Sequence, residues 1–195
     1  TLGNGTERNG WTVLTKVQVD SGIRKSVKVG RTNLTRPEFN HSKGRILCAV
    51  YTHQGNQERL LGIEETWGWH CDGFLAASTI TTDSPPFATD LPHLGPEEYR
   101  NMYQKTRSIL AYIYDHYFGK FEYFYLCGDD THLIVENLRL YLGEVEAKEG
   151  FNTTLFSGQL GLGVGDKHTI IGGGGYVLNR AALETFILHK DANDC

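Results

Sequence analysis

The stretch that most limits how this chain can fold runs from Phe121 to Leu142, FEYFYLCGDDTHLIVENLRLYL: an apolar run, two acids, then a helical pattern. Phe121, Tyr123, Phe124, Tyr125 and Leu126 crowd large apolar side chains together, as in a strand buried on both faces at the centre of a sheet. Gly128 permits a sharp turn, and Leu133, Ile134, Leu138, Leu140 and Leu142 follow at roughly helical spacing. Asp129 and Asp130 therefore fall at the carboxyl end of a buried strand, where open α/β sheets bind ligands. Two adjacent carboxylates repel each other unless a cation sits with them, so a divalent metal holding a diphosphate suits the pair. The pair alone reads equally well as a helix start, with Asp130 or Thr131 as N-cap.

The flanking sequence has the rhythm of an α/β domain. RILCAVYT, from Arg45 to Thr52, is a β-prone run that feeds the loop THQGNQ. Glu58 to Trp69 carries Leu60, Leu61, Ile63 and Trp67 at helical spacing, and CDGFLAAS, from Cys71 to Ser78, gives a second strand. Strand, helix, strand predicts parallel pairing through a right-handed crossover. Four prolines, Pro85, Pro86, Pro92 and Pro96, mark residues 79 to 96 as a loop without regular structure. A long amphipathic helix is predicted from Pro96-Glu97-Glu98 to Tyr117, with acids in its first turn; His116 near its end reads as structural or exposed. Beyond Leu142, Gly143 to Gly150 reads as a charged turn and Phe151 to Leu162 as one short strand beside the site. IIGGGGYVL, from Ile170 to Leu178, then sets four glycines before a strand and a helix from Asn179 to His189. Consecutive glycines let the backbone approach a sugar or phosphate closely, yet no Gly-Lys-Ser/Thr follows, so this is not a P-loop.

With 195 residues, 39% of them hydrophobic, the chain suits one domain with a substantial core. Residues 1 to 43 read as a stem-like or poorly ordered N-terminal segment and residues 44–195 as the domain. A net charge of −4 with Lys and Arg spread out argues against a nucleic-acid or anionic-membrane partner. No run approaches the ~20 apolar residues of a membrane span, and neither a signal peptide nor an initiating Met is present, so a fragment or processed piece is expected. Asn4, Asn33, Asn40 and Asn152 each open an N-glycosylation acceptor pattern, which favours the secretory pathway. Cys48, Cys71, Cys127 and Cys195 are too widely spaced for a zinc cluster. Cys48 lies in the first strand and Cys71 opens the second, positions that βαβ pairing brings within the ~6 Å Cα separation of a disulfide. A Cys48–Cys71 bond is predicted, with two buried thiols as the alternative.

GDDT after an aromatic strand, followed by ENLR at Glu136 to Arg139, resembles the Asp-x-Asp region of the core 1 β1,3-galactosyltransferases, a family related to the fringe-type β1,3-glycosyltransferases. Thr66-Trp67, Cys48, Cys71, QKT at Gln104 to Thr106, YDHY at Tyr114 to Tyr117 and GGGGYVL also look like that family's equivalents. The resemblance implies a glycosyltransferase A-type (Rossmann-like) fold: α/β, a mainly parallel sheet flanked by helices, here incomplete at its C-terminus. It implies Mn²⁺ or another divalent cation held by Asp130 with Asp129, and a UDP-sugar donor contacted by Thr52, Arg59, Asp129, Gly173 and Gly174. The catalytic base is expected beyond Cys195. Three positions depart from the family: Gly128 stands for its first Asp, Glu64 for a usually basic residue and Gly174 for an Ala. The implied activity moves galactose from UDP-galactose to the 3-hydroxyl of O-linked N-acetylgalactosamine on a glycoprotein or peptide, with inversion. A fringe-like N-acetylglucosaminyltransferase and a non-catalytic, chaperone-like relative are the alternatives. Family membership further implies the Golgi lumen, a type II parent anchored by a membrane segment outside this chain, and a homodimer among its assemblies.

Overall fold

The computed structural model describes residues 44–150, 153–162, 168–170 and 172–188, together with strand backbone at Thr6–Arg8, Trp11–Gln18 and Arg24–Gly30. Its centre is three parallel strands. β4 (Ile46–Tyr51) lies between β5 (Gly73–Ser78) and β7 (Tyr123–Gly128), with Ala49 paired to Leu75 on one side and to Leu126 on the other. All six residues of both β5 and β7 are buried, which is why their sequences run apolar rather than alternating. The sheet is mixed, with antiparallel flanks. β11 (Tyr176–Asn179) pairs antiparallel with β7, Val177 facing Tyr125, and β8 (Phe156–Gly158) lies outside β11. On the other flank β1 (Thr6–Arg8), β2 (Trp11–Gln18) and β3 (Arg24–Gly30) form an antiparallel series that meets β5 at Lys28 and Phe74. The 1–43 segment, expected as a stem-like lead-in, thus contributes three strands; its other residues lie outside the described residues.

Two apolar layers cover the sheet, one per face. Leu47, Ala49, Leu75, Ala77, Phe124, Leu126 and Leu178 project towards α2 (Met102–Tyr117) and α4 (Arg180–Leu188), meeting Ile109, Ile113 and Leu183. The alternate residues, among them Ile46, Cys48, Val50, Phe74, Ala76 and Tyr125, meet Leu60 and Ile63 of α1 (Gln57–Glu65) and Val135 and Leu142 of α3 (Val135–Glu149). Each helix covers the face that the two-residue period of the strands offers it. Asn179 ends β11 and starts α4 by accepting the Ala182 N–H at 2.9 Å, the geometry of an N-cap. Among the described residues no helix is long and apolar enough to cross a membrane.

Several boundaries differ from expectation. The helix expected from Pro96 begins at Met102, after a single 3-10 turn over Tyr99–Asn101. Glu97 accepts from Lys105 and His93 instead of serving the first turn. Gly143 to Gly150 is not a turn: α3 runs through Glu149 and stops at Gly150, whose φ of +80° favours glycine. Of the charges that suggested a turn, Glu144, Lys148 and Glu149 lie on the exposed side of that helix, and Glu146 turns inward to accept from the buried Tyr123 hydroxyl. Residues 156–162 split into β8 and β9 (Leu160–Leu162), and β9 leaves the main sheet to pair with β10 (His168–Ile170). A short strand, β6 (Thr89–Asp90), interrupts the proline-rich loop and pairs with β5.

Cys48 and Cys71 form the expected disulfide, with Cα atoms 6.1 Å apart. The bond ties β4 to the segment entering β5 across 23 residues of sequence that include α1. Closing a loop of that length stabilises a fold by about 3 kcal/mol on the chain-entropy argument. Replacing both cysteines with Ala is accordingly expected to lower the unfolding free energy by about 3 kcal/mol in urea titrations, with the m-value raised as the unlinked chain expands on unfolding.

Candidate functional site

Parallel register determines where the polar groups gather. Tyr51, the last residue of β4, stands opposite Ala77 of β5 and Gly128 of β7, so the residues after all three strands emerge at one edge. A cavity of about 810 Å³ opens there, bordered by Tyr51, Thr52, Asn56, Lys105, Asp129 and Asp130, with Gly172, Gly173 and Tyr176 opposite.

The two acids have different roles in this edge. Asp129 is largely buried and fully engaged: Oδ2 accepts from Thr52 Oγ1 at 2.6 Å and from Asn56 Nδ2 at 2.7 Å, while Oδ1 meets Arg59 Nη1 at 3.3 Å. It joins β7 to the loop after β4. Asp130 is exposed at the cavity, and no hydrogen-bond donor among the described residues approaches its carboxylate. Among the described residues no three His, Cys, Asp or Glu side chains cluster closely enough to hold a metal by themselves. A hard divalent cation needs no such cluster when it binds through one carboxylate, waters and phosphate oxygens, and the open Asp130 fits that donor set. Asp129, saturated by its neighbours, fits as the support beside it.

The glycine stretch forms the opposite wall, and hydroxyl groups from β4, β7 and the turn after β7 hold it. Tyr51 donates to the Gly172 carbonyl at 3.1 Å, Thr131 to Gly173 at 2.9 Å and Tyr125 to Gly174 at 3.3 Å. Three successive carbonyls are thereby turned towards β4 and β7. Burial, with Cys127 and Asp130 nearby, pushes the Tyr51 phenol up to about 12, so it remains a donor at neutral pH. Burial likewise pushes the Cys127 thiol beneath the site up to about 12, as for a buried thiol packed in the core rather than one presented to the cavity.

Glycine at 128 has a local cause. A Cβ there would lie 2.8 Å from Asp130 Oδ1 and 3.1 Å from Tyr51 Cε2, so those two side chains occupy the room. Gly174 faces a second hollow of about 500 Å³ beyond the glycine wall, and a Cβ on it would meet the flexible end of Gln159. Glu64, one of the three departures noted in the sequence, accepts the Phe87 N–H at 2.8 Å and anchors the proline-rich loop.

Of the residues singled out in the sequence, Thr52, Asp129, Asp130 and Gly173 come together around the cavity. Arg59 is 58% exposed and reaches the site only through Asp129, outside the cavity lining. Asn4, Asn33, Asn40, Asn152 and Cys195 lie outside the described residues. Sequence reasoning missed Tyr51, Tyr125 and Lys105 as parts of this edge, whereas Asn56 falls in the loop from Thr52 that the resemblance sets against the nucleotide. The two tyrosines had no local signal beyond their place in strands; Lys105 sat within the QKT match without a role.

The glycine wall yields a contrast. Gly175 has φ +78° and its Cβ would fall 2.1 Å from the Tyr125 hydroxyl, whereas a Cβ on Gly173 meets nothing within 4 Å. Gly175→Ala should therefore cost at least about 2 kcal/mol in chemical denaturation, and Gly173→Ala no more than about 0.5 kcal/mol.

No family model matches the chain. Over 168 residues it is 30% identical to glycoprotein-N-acetylgalactosamine 3-beta-galactosyltransferase 1 of Xenopus laevis, an alignment that takes in 82% of this chain and 44% of that protein. The chain thus spans less than half the length of this relative. On this similarity and its α/β sheet with a parallel centre, the chain is related to the core 1 β1,3-galactosyltransferase family and carries the corresponding glycosyltransferase A-like fold.

Proposed function

We propose that the protein transfers galactose from UDP-galactose to the 3-hydroxyl of O-linked N-acetylgalactosamine on glycoproteins, with inversion. The observation that carries this reading is the division of labour between the acids: one carboxylate locked to the loop after β4, the next open to the cavity, at the carboxyl edge of three parallel strands. The name of the Xenopus relative, a glycoprotein-N-acetylgalactosamine 3-beta-galactosyltransferase, supports this choice of sugar, acceptor and linkage. A divalent cation, Mn²⁺ in our reading, would be held by Asp130 and would offset the charge of the departing diphosphate. Thr52, Asn56 and Arg59 fix the Asp129 carboxylate, and through the backbone the turn that aims Asp130. Tyr51, Thr131 and Tyr125 keep the glycine wall close to the donor sugar. The buried disulfide suits an oxidising compartment, and we place the protein in the Golgi lumen, its parent anchored in the membrane.

A second reading is favoured by one feature. Gly128, where the family carries an acid, leaves two carboxylates at the turn, as would serve a relative that binds nucleotide without transferring sugar.

One set of measurements separates these readings. Labelled galactose should pass from UDP-galactose to a GalNAc-α-peptide when Mn²⁺ and the full-length protein are present, and labelled N-acetylglucosamine from its UDP donor should not. Binding of Mn²⁺ and UDP by calorimetry with no transfer of either sugar would instead favour the non-catalytic relative. Asp130→Ala should fold normally and lose Mn²⁺-dependent UDP binding by at least about 100-fold. Unchanged affinity in that variant would remove Asp130 from the site. Asp129→Asn keeps the shape but removes the charge that Thr52, Asn56 and Arg59 hold, so a smaller loss, about tenfold in UDP affinity, is expected.

A further inference from the structure

Lys105 is 2% exposed, yet it carries an ammonium group. A buried cation persists only where partners replace its water. Its Nζ donates to the Thr52 carbonyl and to Glu97 Oε1. Each partner belongs to a different wall of the cavity. Thr52 begins the loop after β4, and its hydroxyl holds Asp129 at 2.6 Å. Glu97 belongs to the segment before α2, whose Glu98, Tyr99 and Arg100 rim the cavity mouth. Glu97 is fastened on its other side by His93 Nε2 at 2.8 Å, and His93 Nδ1 meets the Leu94 carbonyl at 3.0 Å. Burial acts to raise the Glu97 carboxyl, and hydrogen bonds from Lys105 and His93 outweigh it, so the group sits below its usual range as a carboxylate. Nearby Asp90 is raised instead, by burial and by the Glu97 charge, which fits one carboxylate taking the ammonium.

A single ammonium thus joins the mouth segment to the peptide that positions Asp129, and it does so from the base of α2, a rigid element packed on the sheet. We propose that Lys105 is a positioning residue for the donor site: it couples the 93–101 rim to the Thr52–Asp129 contact, so that the rim and the carboxylate turn hold one geometry together. The proposal rests on the cavity being the nucleotide-sugar site, as argued above. Arg59, the cation that sequence reasoning favoured, stays outside the cavity lining; Lys105 is the buried cation in it.

Two readouts on the full-length protein test this. Lys105→Met keeps the aliphatic stem and removes the charge; Glu97→Gln keeps an acceptor oxygen and removes the opposite charge. Leu183→Ala, on the core side of α4 and outside the cavity lining, serves as a variant destabilised without touching the rim or the carboxylate turn. In hydrogen exchange without ligand, Lys105→Met is expected to speed the amides of both 52–56 and 97–101, and Leu183→Ala neither selectively. In calorimetry with saturating Mn²⁺, Lys105→Met should weaken UDP about tenfold and Glu97→Gln about threefold, with Leu183→Ala unchanged. UDP affinity in Lys105→Met equal to that of Leu183→Ala, or faster exchange in only one of the two segments, overturns the proposal. Should the wild-type protein bind no UDP, the nucleotide reading fails, and the exchange pattern alone decides the coupling. Should Lys105→Met not fold, Glu97→Gln carries both readouts: joint loosening supports the coupling, and wild-type exchange overturns it.

Discussion

Parallel pairing of β4 with β7, buried on both faces, is the constraint on which the rest depends. It places Tyr51 opposite Gly128, and from that register everything at the edge follows. Thr52 and Asp129 are each one residue past the pair, close enough for a 2.6 Å hydrogen bond. Shifting the register by one residue would turn Cys48 and Val50 to the wrong layer and separate the hydroxyl from the carboxylate. The disulfide and the apolar layers therefore act on the site indirectly, by leaving the register no alternative. Arg139 adds to this from α3, donating to Asp72 at 2.7 Å while that same carboxylate oxygen accepts the Ile46 N–H at the start of β4.

The antiparallel arrival of β11 beside β7 completes the edge. Because β11 runs opposite to its neighbour, the glycines that precede it lie at the same end as the residues that follow β7. Flexible backbone would be a poor wall by itself. Hydroxyls at Tyr51, Thr131 and Tyr125 supply what glycine lacks, and Tyr51 and Tyr125 do so from inside the sheet. The ordering cost of a glycine-rich segment is met by side chains already fixed by the core.

What the sequence made legible was whatever rests on short-range pattern. The crowded aromatics of 123–126 marked the central strand, the strand-helix-strand rhythm gave parallel pairing, and Cys48 and Cys71 found each other because that pairing fixes their separation. Failures came where tertiary partners override local preference. Glu97 looked like a first-turn acid but serves Lys105 and His93; the charges after Gly143 looked like a turn because one face of α3 is wet, while Tyr123 donates to Glu146 from within the sheet. The acids at 129 and 130 were visible as a pair, and only the family resemblance singled out Asp130 for the metal; no local pattern said which carboxylate is bound by its neighbours and which is open. That distinction needs the positions of Thr52, Asn56 and Arg59, 70 to 77 residues away along the chain.

The crowding at Gly128 makes two positions depend on each other. With the Tyr51 ring and the Asp130 carboxylate beside it, a side chain entering at 128 would have to turn the exposed Asp130 carboxylate aside and press lightly on the aromatic at 51. The phenol also carries the Gly172 carbonyl, so shrinking residue 51 to make room would release part of the glycine wall. A change at 128 is therefore felt at both neighbours: the incoming side chain redirects the carboxylate that faces the cavity and leans on the phenol that steadies the glycine wall.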